Sequence, residues 1–201
     1  DGDKSTAIGY QALTDQTGTT GTVGNTAIGY QAGQSVLTGV RNTYIGAAAG
    51  NKGSGSAADD NTAIGFRSLR VNTSGSRNTS LGAYSVQQMV NARDTVAIGY
   101  YTLANALTST DIDGSVAIGS FSQAENKTGI GNTSVGYQSL SVLVGGDGNT
   151  AMGYNSGLFL TAGSNSTFIG NLAGQGITGA KLTGNSNTAI GQKAGLLLQG
   201  V

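Results

Sequence analysis

The sequence predicts an all-β protein, a parallel β-solenoid or β-roll of about eleven coils. Three observations carry that prediction. The phrase Asn25-Thr26-Ala27-Ile28-Gly29-Tyr30-Gln31-Ala32-Gly33 returns along the chain, for example as Asn61-Thr62-Ala63-Ile64-Gly65-Phe66 and Asn149-Thr150-Ala151-Met152-Gly153-Tyr154. Its anchor aliphatics, Ile8, Ile28, Ile45, Ile64, Leu81, Ile98, Ile118, Val135, Met152, Ile169 and Ile190, stand 17 to 21 residues apart, a fixed unit with small insertions. Every unit joins β-branched residues to a central glycine, which favours strand and turn over helix.

One unit can be read position by position, with the anchor as zero. Position −3 is Asn in seven copies and Ser or Thr in the others. Position −2 is Thr in nine and Val in two (Val96, Val116), and position +4 is always Ala, Ser or Thr. Alternation puts −2 and 0 on one face of a short strand and −1 on the other. Isoleucine is the largest repeated apolar group, so the Thr/Ile face is expected inside. The anchors would then form the core ladder.

Position +1 is glycine throughout: Gly9, Gly29, Gly46, Gly65, Gly82, Gly99, Gly119, Gly136, Gly153, Gly170 and Gly191. A glycine there allows the sharp turn that ends the strand. Positions +2 to +8 are expected to form a second strand, with the small +4 residue and the +8 group pointing inward. Gly, Ser, Asn and Asp then make the second turn. Identical residues stack from coil to coil, so Asn or Ser at −3 can hydrogen-bond along the rod. A buried Thr hydroxyl at −2 would find its partner in the next coil.

The repeat runs from Ser5 to Gly195, so residues 1–201 read as one elongated domain, a segment of a longer fibre. With 35 glycines but no proline the chain is not collagen-like. Its zero net charge and recurring aliphatics argue against disorder. Lys+Arg and Asp+Glu number 10 each, and no basic stripe suited to nucleic acid is visible. No apolar run is long enough to span a bilayer, and no signal-peptide pattern is seen.

Cys and His are both absent, which removes thiolate and imidazole chemistry. No enzyme activity, cofactor or metal is expected. Asp111-Ile112-Asp113-Gly114 is a fragment of a calcium-loop pattern without its downstream ligands. Like Asp59-Asp60, it reads as a polar turn.

Val96-Ala97-Ile98-Gly99-Tyr100-Tyr101-Thr102 and Ser115-Val116-Ala117-Ile118-Gly119-Ser120-Phe121-Ser122 resemble the head repeats of trimeric autotransporter adhesins, whose unit is Asn-Ser-Val-Ala-Ile-Gly-x-x-Ser. The phrase extended by Tyr-Gln-Ala-Gly is also similar to repeats of bacteriophage tail fibres and large bacterial surface proteins. The resemblance implies a left-handed parallel β-roll, a homotrimer and an extracellular fibre on a cell surface or virion that contacts a host receptor or glycan. The adhesin unit is typically shorter, at 14 residues, and carries Val where this chain mostly has Thr.

A coil this narrow has little core, which points to oligomerisation for support. The −1 stripe, small except at Tyr44 and Phe168, is expected to face outward and let another chain approach. Aromatics at +2 (Tyr10, Tyr30, Phe66, Tyr100, Tyr137, Tyr154) form a candidate contact for a surface or glycan. Their plainer role is to cover the coil corner or an inter-chain seam. The insertions Asp15–Gly21, Lys52–Asp59, Leu107–Asp113 and Thr178–Ser186 are a second candidate surface.

The expected function is a structural and adhesive fibre segment. The alternative is an ice-binding solenoid with Thr/Ala ladders, and a polysaccharide-cleaving tailspike is a weaker third. Burial of Thr26, Thr43, Thr62 and Thr79 separates the first two, because an ice-binding face needs them exposed and flat.

Overall fold

A computed structural model describes residues 4–17, 23–51, 58–105, 112–177 and 182–198. Within them the only regular elements are strands of three residues: β1 Thr6–Ile8, β2 Thr26–Ile28, β3 Thr43–Ile45, β4 Thr62–Ile64, β5 Thr79–Leu81, β6 Val96–Ile98, β7 Val116–Ile118, β8 Thr133–Val135, β9 Thr150–Met152, β10 Thr167–Ile169 and β11 Thr188–Ile190. They form one parallel sheet in sequence order, the arrangement of a β-solenoid. Equivalent residues pair throughout, from Ile8 with Ile28 to Ile169 with Ile190. The extra residues of the longer coils fall in the connection from about +7 to the next coil's −4. Each of the four insertions lies partly outside the described residues, as do Ala106 and Asp111.

The +1 glycines take φ between 119° and 137°, as the turn requires. A β-carbon on Gly9 would lie 2.6 Å from the Gly29 carbonyl oxygen, so stacking as well as φ excludes a side chain there. Beyond the glycine the chain does not form a second strand, contrary to the sequence expectation. Positions +2 to +8 are consecutive turns in which +3 and +5 are left-handed, as at Gln31 (φ 54°) and Leu69 (φ 49°). The Ala32 N–H closes a turn on Gly29 O at 3.3 Å, while Gln31 N–H reaches Tyr10 O and Gly33 N–H reaches Ala49 O, both at 2.8 Å. The alternating handedness keeps backbone groups aimed at neighbouring coils from a more compact path. Each left-handed non-glycine residue costs about 1–2 kcal/mol, and burial together with inter-coil bonding holds it in place.

The direction of the strand side chains also reverses the expectation. Position −1 is the interior: Ala27, Ala63, Ser80, Ala97, Ala117, Ser134 and Ala151 are fully buried. The anchors face outward and are half-buried or exposed, with Leu81 at 43% and Met152 at 46%. Thr at −2 shares that outward face. The reason is volume. The coil lumen is already filled from +5 and +8 by Leu69, Val86, Met89, Leu103, Leu140, Leu143 and Leu160. Opposite them there is room for a methyl or hydroxyl group and not for isoleucine.

The two large −1 residues obey the same logic. Tyr44 and Phe168 are buried, and each sits where +5 is glycine in its own coil and in the preceding one. A β-carbon on Gly33 would come within 2.9 Å of Tyr44 Cδ2, and one on Gly157 within 2.8 Å of Phe168 Cδ2. Burial pushes the Tyr44 phenol well above its ordinary pKa, with Asp59 adding to the shift.

The −3 column behaves as expected. Asn25, Asn42 and Asn61 are fully buried, and Asn78 is nearly so. Asn42 donates its backbone N–H (2.8 Å) and its Nδ2 (3.2 Å) to Asn25 Oδ1, and Asn61 and Asn78 repeat the pattern on the coil before. Each Nδ2 also donates to a carbonyl of the following turn, as Asn61 does to Gly75 O at 2.9 Å. The small +4 residues and the +8 groups Val36, Met89, Leu143 and Leu160 point inward as expected. The apolar interior falls into two clusters, one from Leu13 to Ala117 and one from Leu140 to Leu198.

Candidate functional site

Three outward columns, at −2, 0 and +2, make up one long face. Across all eleven coils none of their residues is charged. In-register pairing stacks Thr on Thr or Val and Ile on Ile, Leu, Val or Met along the sheet. Rows repeat about every 4.8 Å along the rod. Thr26, Thr43 and Thr62 are half-exposed and Thr79 is exposed, so their hydroxyls face outward and need no partner in the next coil.

All six +2 aromatics are exposed, between 41% for Phe66 and 67% for Tyr10. The structure adds Tyr84, Tyr101 and Phe121 at +3, which sequence reasoning missed. In the coils of Tyr84 and Phe121 the +2 residue is Ala83 or Ser120, and the +3 ring fills the gap. That substitution of one column for the other was the signal available in the sequence. The result is a continuous series of ring contacts, Phe66–Tyr84–Tyr100–Phe121–Tyr137–Tyr154, with centroids 5.2 to 6.1 Å apart. Tyr10 and Tyr30 stack separately at 5.6 Å and 11°. Arg67 lies 5.0 Å over the Phe66 ring.

Four of the five contacts in this series set a ring edge against a ring face, and one, Tyr137–Tyr154, is stacked. Such a ridge is suited to packing along a seam.

Charges collect elsewhere, at −5 and −4. Arg41 pairs with Asp60 and Arg77 with Asp94, each with Nε to Oδ1 at 2.6 Å. Hydrogen bonding to the guanidinium holds the Asp60 and Asp94 carboxyls below the ordinary aspartate pKa. Asp59 Oδ1 accepts the Val40 N–H at 2.9 Å, and Asp113 Oδ1 accepts the Arg93 N–H at 2.6 Å. The carboxylates of Asp59, Asp60 and Asp113 therefore tie one coil to the next. Among the described residues no group of three potential metal ligands is found.

The chain matches no protein-family model, no curated protein and no solved structure.

Proposed function

We propose that the chain is a segment of a homotrimeric extracellular fibre of the phage tail-fibre or bacterial surface-adhesin kind, which carries or contributes to receptor binding. The observation that supports this most is the uncharged outward face at −2, 0 and +2, with a continuous aliphatic column of anchors at its centre. It runs the length of the sheet, roughly 50 Å. An exposed aliphatic column of this length, flanked by uncharged residues, favours a partner surface over water.

A rotation axis parallel to the rod would bring the same row of each chain to one height, so Ile would meet Ile over the whole length and the assembly would close. The aromatic ridge forms the +2 edge of this face and would line the seam. The −1 stripe lies in the interior and is not available for packing between chains, and the anchors take over that role. Light scattering on a sizing column tests the reading: a solution mass near three times 19.9 kDa supports it, and a stable monomer overturns it.

The second reading, an ice-binding solenoid, is favoured by one observation, the outward ladder of Thr26, Thr43, Thr62 and Thr79 on a regular sheet. The same exposure that suits a partner chain also suits ordered water. Large rings at +2 break the flatness that ice requires. Thermal hysteresis and ice-shaping by the monomer would establish this reading, and their absence would remove it.

A further inference from the structure

We infer that the solenoid contains a built-in parting plane, a polar septum between the seventh and eighth coils at which the chain divides into two cooperative units. The backbone is continuous there: β7 pairs with β8, and Gln123 N–H donates to Ser139 O at 3.0 Å. The interruption is in the interior. Position +5 holds Leu, Val or Gly in every other coil, whereas the seventh holds Gln123, fully buried and left-handed at φ 47°.

Its Nε2 donates to Val116 O (3.0 Å), Asn132 O (3.2 Å) and Ser134 Oγ (2.9 Å), and its Oε1 accepts from Asn126 Nδ2 (3.0 Å). Ser122 and Ser134 complete the layer through a hydroxyl–hydroxyl contact. The first apolar cluster ends at Ala117 and the second begins at Leu140, on either side of this layer.

In a stacked-repeat protein, stability is close to a sum of repeat and nearest-neighbour terms. Here the outward contacts Ile118–Val135 and Phe121–Tyr137 persist. The apolar contact inside the lumen that supports the other neighbour terms is replaced by polar groups, which makes this term the weakest in the series. Neutral hydrogen bonds contribute little net stability once satisfied, while burying a leucine contributes more. Opening should therefore stop at the septum, so that each side exchanges as one unit. The four C-terminal coils have fewer interfaces than the seven N-terminal ones and should open first.

Native-state hydrogen exchange of the full chain, followed against denaturant, tests this. We expect two groups of amides with different opening free energies and denaturant slopes, dividing between Gln123 and Leu140, the C-terminal group exchanging faster. A single group, or a division at any other coil, overturns the inference.

Gln123→Leu supplies the causal test, because +5 leucines with the same left-handed φ already occupy other coils (Leu69 at 49°, Leu103 at 49°). Its former partners keep others: Ser134 keeps Ser122, and Asn126 keeps Gly129 O at 2.9 Å. The variant should slow exchange of the C-terminal group by about tenfold and merge the two groups. Unchanged grouping in a folded variant would overturn the septum as the cause.

Discussion

The ring of Tyr44 occupies the space where a β-carbon on Gly50 would stand. A large −1 residue goes with glycine at +5 in its own coil, as Tyr44 with Gly50 and Phe168 with Gly174, and this is the packing rule of the lumen. Gly50→Ala meets both the ring and a φ of 59°. It should cost about 2–4 kcal/mol, combining left-handed strain with overpacking. Tyr44→Ala alone should cost about 3–5 kcal/mol as a cavity. The pair Tyr44→Ala with Gly50→Leu reproduces the Ala63/Leu69 pattern of the next coil. It should be more stable than the sum of the single changes by at least about 1 kcal/mol. Urea denaturation of the four chains checks this.

That rule explains which parts of the fold were legible in the sequence. The coil count, the +1 glycine turn and the bonded Asn column follow from residue types fixed at one spacing, and all three are present. Strand parity was not legible from alternation, because Thr/Ile and Asn/Ala are equally consistent alternating pairs. Choosing the larger pair as core ignored the width of the lumen. The correlated positions Tyr44 with Gly50 and Phe168 with Gly174 held the correct answer, since only residues that share a cavity trade volume. The +2 to +8 segment resembled a strand because its inward positions fell at +4 and +8. Left-handed leucines at +5 have no local sequence signature.

Asn61 joins three coils, so Asn61→Ala should be severe. It removes the buried acceptor used by the backbone N–H and the Nδ2 of Asn78. Each orphaned buried donor costs about 1–3 kcal/mol, and a loss of about 3 kcal/mol in the denaturation midpoint analysis is expected. Asn61→Ser should retain part of the column. Ser166 already accepts the Asn187 N–H at 3.2 Å in the same position.

Ile98→Lys and Ile118→Lys distinguish an outward anchor from a core one. Both residues face out of the coil, so circular dichroism should show a folded chain with stability changed by no more than about 0.5 kcal/mol per site, measured on the monomer. If the face joins chains, the same substitutions should lower the solution mass to that of one chain. Unfolding of the monomer would contradict the outward placement.

Acid should weaken the two Arg–Asp pairs. Both carboxyls titrate lower in the folded chain than in the unfolded one. Their contribution is therefore complete above the ordinary aspartate pKa of about 3.9 and is lost as pH falls through the depressed folded values. The pairs are exposed, so the effect is small and screened by salt. The thermal midpoints of wild type and of Arg41→Gln/Arg77→Gln should differ slightly at pH 7 and converge as the pH falls below the ordinary aspartate range.

Coils of 17 to 21 residues all pair in the same register, so every unit advances the rod by one equal step. Reach and ornament are thereby uncoupled. Duplicating a unit lengthens the molecule by about 4.8 Å without disturbing its cross-section. A change confined to one connecting loop alters what the surface displays and leaves the reach untouched.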